Sequence, residues 1–89
     1  MKGEISWVRR TDDGKLQVFA KHAGNRWLFF AREKRFDDWQ PVENPPLEDW
    51  LELLDSVQRR IARRLVKPEQ EALVKKTIRQ RFPDWEEVN

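Results

Sequence analysis

Cysteine is absent from the 89 residues, and histidine occurs once. Without thiols there is no disulfide, no cysteine nucleophile and no Cys-ligated zinc or iron–sulfur site; a lone His excludes His-cluster metal sites and most Ser-His-Asp triads. Glycine is scarce too. Gly3, Gly14 and Gly24 stand apart, so no glycine-rich phosphate loop exists. The richest apolar run, Trp27-Leu28-Phe29-Phe30-Ala31, is far shorter than the roughly 20 residues that span a bilayer, and no membrane association is expected. Met1-Lys2-Gly3-Glu4 leads into a polar alternating segment without an apolar h-region, so no secretory signal is expected and a cytoplasmic location is the default.

What is present is charge and aromatic bulk: 38% of residues are charged, 38% hydrophobic, and five Trp and five Phe must supply much of the burial. A chain this short closes around one small core. A single domain is expected over 1–83, followed by a loosely held acidic tail at 84–89 with Trp85 as its anchor.

From Glu4 to Arg10, Ile5, Trp7 and Arg9 alternate with Ser6, Val8 and Arg10, which reads as a strand. Thr11-Asp12-Asp13-Gly14 supplies turn chemistry, and Leu16, Val18 and Ala20 alternate with Gln17, Phe19 and Lys21 in a second strand. A turn at His22-Ala23-Gly24-Asn25 leads to a third strand, Arg26–Ala31, whose apolar run faces both ways. Residues 32–46 read as a connection, with a short fourth strand as an alternative within it, pinned by Phe36 and Trp39. Core candidates in the strands are Trp7, Leu16 or Phe19, Val18, Leu28 and Phe30. Which strand face turns inward stays open.

Asn44-Pro45-Pro46 suits a helix opening, with Asn44 accepting orphan N–H groups. The spacing predicts a helix from about Pro45 to Val66: at about 100° per residue, Leu47, Trp50, Leu51, Leu53, Leu54, Val57, Ile61, Ala62 and Leu65 share one side. Lys67-Pro68 interrupts it, and a second helix runs to about Phe82 with Leu73, Val74, Thr77, Ile78 and Phe82 on one side. The expected fold is α+β: a three-stranded antiparallel β-meander followed by a long amphipathic helix and a shorter second helix.

The net charge of +2 conceals alternating blocks. Residues 1–35 hold nine bases and four acids, 36–58 hold seven acids and no Lys or Arg, 59–81 hold nine bases and two acids, and Asp84, Glu86 and Glu87 close the chain. On the long helix, Glu48, Asp49, Glu52 and Asp55 precede Arg59, Arg60, Arg63 and Arg64, the order that a helix dipole favours. Solvated faces are the simplest account of such blocks. The functional account is contact. Two antiparallel copies would set the acids of one helix against the arginines of the other, with Trp or Leu at the edge, Leu53 for example, supplying the energy, and a different protein partner could use the same residues together with Lys67.

An alternative is nucleic-acid backbone binding. Arg59, Arg60, Arg63 and Arg64 fall within roughly 140° of helix arc and would be extended by Lys67, Lys75, Lys76 and Arg79. If Trp27 or Phe29 pointed to solvent, base stacking would add to it; packing in the core is the plainer reading of both. His22 has no nucleophile partner by spacing, Asp12-Asp13 and Asp37-Asp38 read as turn formers, and Glu48 and Glu52 share a solvated face. The sequence therefore points to a non-catalytic binding module without cofactor or metal, acting through protein contact, homodimerisation included, with nucleic acid second.

Overall fold

The computed structural model describes residues 4–24 and 26–86. The chain falls into two compact units, Met1–Pro45 and Pro46–Asn89.

The first unit is an antiparallel sheet in the order β1-β2-β3-β4: β1 Glu4–Thr11, β2 Gly14–Ala23, β3 Arg26–Arg32 and β4 Gln40–Val42. The expected three strands are thus four, because Gln40, Pro41 and Val42 pair with Ala31, Phe30 and Phe29. So short a segment carries no alternation to read, and Pro41 is tolerated because β4 is an edge. Thr11 pairs with Gly14 around Asp12-Asp13, and Gly14 takes φ +136°. At the second hairpin Ala23 pairs with Arg26, and Gly24 takes φ +62°, a left-handed value that a side chain resists. The turn expected from His22 therefore begins two residues later. His22 belongs to β2, opposite Trp27, with the two rings 5.4 Å apart.

Register decides which side of each strand is buried. Ile5 pairs with Ala20 and Ala20 with Phe29, while Trp7 pairs with Val18 and Val18 with Ala31. Ile5, Val18, Ala20, Trp27, Phe29 and Ala31 on this face are all buried, and Trp7 meets Phe29 edge-on at 6.0 Å. The expectation of Leu28 and Phe30 as core is corrected: they lie on the opposite face with Phe19, each only half-buried. Phe36 is corrected as well. It is 92% exposed in a turn where the Lys34 N–H donates to the Asp37 carboxylate at 3.0 Å, so Trp39 alone pins the connection.

The second unit is a helical hairpin of α1, Leu47–Ala62, and α2, Pro68–Arg81. Trp50, Leu53, Leu54 and Val57 are buried along α1, and Val74 and Ile78 along α2. The Gln58 amide donates to Glu71 at 3.0 Å near one end, and the Arg81 guanidinium stands 5.5 Å from the Trp50 ring near the other, so the helices run antiparallel.

Both ends of α1 differ from expectation. It begins at Leu47 with Pro46 as N-cap and no side-chain cap bond, so Asn44 does not cap. It ends at Ala62, four residues early. The Leu65 N–H donates to the Arg60 carbonyl at 2.8 Å and the Arg64 N–H to the Ile61 carbonyl at 2.9 Å, a Schellman closure with Arg64 at φ +61° where glycine is usual. Lys67 is already extended, as the residue before Pro68 must be, and the chain needs Arg63–Val66 to turn. Leu65, expected on the apolar side, is 64% exposed. Trp85 is half-buried, with its N–H on the Phe82 carbonyl at 2.9 Å; residues 87–89 of the acidic tail lie outside the described residues.

Candidate functional site

The acidic and basic residues of α1 do not form the continuous two-part stripe that the wheel predicts. Glu48, Glu52 and Asp55 are exposed, but Asp49 is only 2% exposed and withdrawn from the outer side. Arg59 donates to Asp55 at 3.1 Å, one turn away, in a pair whose side chains are 66% and 60% exposed. Arg60 is half-buried at the last turn, Arg63 is the C-cap, and Arg64 has left the helix altogether. The expected single arc of four guanidinium groups is therefore two helical arginines followed by two on a turn. With Lys67, exposed at the N-cap of α2, they gather at the tip of the hairpin.

The cations of α2 are partly engaged. Lys75 pairs with Glu71 at 2.9 Å, and Glu71 also accepts from Gln58. These bonds, the Lys75 one foremost, hold the Glu71 carboxyl below the ordinary glutamate range. Arg79 is exposed with its guanidinium 6.0 Å from the Trp85 ring, and Lys76 is exposed. Among the described residues no group of three His, Asp or Glu side chains could hold a metal ion, and no helix is long and apolar enough to cross a membrane.

Sequence reasoning missed the outer face of the sheet. The Phe19 and Phe30 rings stack at 4.9 Å and 15°, and Trp39 meets Phe19 edge-on at 4.7 Å. A cation stands at each end of this row: Lys21 Nζ is 5.4 Å from the Phe30 centroid and the Arg32 guanidinium 4.2 Å from that of Trp39. Arg32 is further fixed by its Nε donating to the Gln17 amide oxygen at 2.7 Å. Every second residue of a strand shares a face, so the register adds Arg10, Lys15 and Arg26 to this side and, among the described strand residues, one acid, Glu4, opposite Lys21.

The aromatics singled out beforehand, Trp27 and Phe29, lie on the buried face. Carrying the parity of Ile5 and Trp7 through two tight turns would have identified Phe19 and Phe30 as the outward pair. An open groove of about 510 Å³ lies beside Leu16, Ala31, Arg32, Asp37 and Gln40. Its Asp37 carboxylate is committed to the turn at Lys34. Comparison with protein-family models, curated proteins and solved structures finds no match.

Proposed function

We propose that the protein is a non-catalytic binding module that works through protein contact, and that a second copy is the partner its long helix fits. The observation that carries this reading is the order of charge on the outer side of α1. Glu52 and Asp55 are exposed one to two turns before exposed Arg59 and Arg63. Spacings of three and four residues put Glu52, Asp55 and Arg59 on one side. A two-fold axis near Asp55 and Ser56 then sets Glu52 of each copy against Arg59 of the other.

The Arg59–Asp55 pair does not oppose this. An exposed ion pair of this kind contributes little and exchanges partners readily. Leu53, expected to supply apolar area at that edge, is fully buried; Leu51, 36% exposed and one turn before Asp55, offers it instead. Backbone binding through residues 59–81 has less support, since the four arginines do not share one helix and Arg60 is half-buried.

Sedimentation equilibrium over micromolar concentrations tests the proposal. The expected result is a monomer–dimer equilibrium that loosens with added salt. A monomer at every concentration contradicts it.

A further inference from the structure

We infer that the outer face of the sheet binds single-stranded nucleic acid, at a site built from Phe19, Phe30 and Trp39 with Lys21 and Arg32. The first argument is chemical composition. This face joins three aromatic rings to five cations, Arg10, Lys15, Lys21, Arg26 and Arg32, against the single acid Glu4 among the described strand residues. A polyanion whose unpaired bases can lie on rings matches both features, whereas a duplex hides its bases and an acidic peptide leaves the rings unused.

The second argument is that these rings are not needed for the buried side. The opposite face already holds Ile5, Val18, Ala20, Trp27, Phe29 and Ala31. A third observation comes from the loop that joins Arg32 to Trp39. Phe36 there is 92% exposed, between exposed Lys34 and Arg35 on one side and the Asp37 turn on the other. A wholly exposed phenylalanine beside two cations repeats the pairing of ring and charge seen on the sheet.

In the free protein Lys21 and Arg32 cover the outer ring faces of Phe30 and Trp39. Phosphates draw these cations off the rings, because a charge-assisted bond to phosphate is stronger than an exposed cation–π contact. The same movement opens the rings to bases. Cation and ring therefore act in sequence, and the order of sites along β2, Lys15, Phe19, Lys21, gives the strand a track rather than a point.

The test is fluorescence anisotropy of a labelled oligothymidylate of about 16 nucleotides with the full chain at low salt. The expected results are tighter binding than to a duplex of equal length, a linear loss of log affinity with log salt, and roughly fivefold or greater weakening by Lys21→Gln and by Phe36→Ala. Both altered side chains are exposed, so folding is not at stake, and circular dichroism of each variant checks this. Arg60→Gln, Arg63→Gln and Lys67→Gln together leave the affinity unchanged. Absence of binding at low salt, equal affinity for duplex, or loss of binding only in the triple helical variant overturns the inference; so does saturable binding of polyglutamate in place of the oligonucleotide.

Discussion

Arg32 holds two neighbours at once: its guanidinium lies 4.2 Å from the Trp39 ring centroid while its Nε donates to Gln17 at 2.7 Å. The residue thereby ties the loop before β4 to β2 across the outer face. Lysine can supply the charge but neither the planar stack nor the fixed Nε donor. Arg32→Lys is expected to destabilise the fold by about 1 kcal/mol, read as a lower urea midpoint with an unchanged slope. A double-mutant cycle with Gln17→Ala should recover part of that loss as coupling, and strict additivity would argue against the tie.

Arg64 occupies the left-handed position that ends α1, at φ +61°, where a Cβ is strained. Arg64→Gly relieves that strain, and the gain exceeds the added chain entropy of glycine. A net stabilisation of about 0.5–1 kcal/mol is expected, measurable by chemical denaturation. Destabilisation would mean that the guanidinium holds a contact worth more than the strain.

Leu53 is fully buried, whereas Leu65 is 64% exposed beyond the helix end. Leu53→Ala should cost about 2–5 kcal/mol, and Leu65→Ala should stay within about 0.5 kcal/mol. The wheel drawn from sequence treats the two alike, so equal costs would favour a helix continuing to Val66.

Glu71 is held below the ordinary glutamate range by Lys75 first and Gln58 second. A depressed folded-state value contributes stability that is fully present above the unfolded-state value and is lost as pH falls through the folded one. Wild type should therefore exceed Glu71→Gln in stability at neutral pH, and the gap should close on acidification below the ordinary glutamate range. Thermal midpoints across that window check the sign; a gap that widens in acid contradicts the assignment.

The helices were legible because their signals are strong and local. Pro68 fixes where α2 begins, and the apolar spacing of Trp50, Leu54 and Val57 admits one buried side. The end of α1 was not legible, since Arg63 and Arg64 carry no turn signal and the left-handed position is taken without glycine. In the sheet, Trp27-Leu28-Phe29-Phe30 is apolar on both sides, so alternation alone cannot orient β3. Its orientation comes from nonlocal pairing, Phe29 with Ala20 and Ala20 with Ile5. The ring-and-cation row on the outer face depended on that pairing and on Trp39 folding back from the loop.

The direct test of α1 as a self-complementary contact is a charge exchange between Glu52 and Arg59 followed by sedimentation equilibrium. Glu52→Arg alone and Arg59→Glu alone each set like charges across the two-fold axis and should weaken the dimer by about tenfold or more. The double variant, Glu52→Arg with Arg59→Glu, should restore association to near the wild-type level. Loss of association in both single variants without recovery in the double, or no change in any of the three, would contradict the antiparallel pairing.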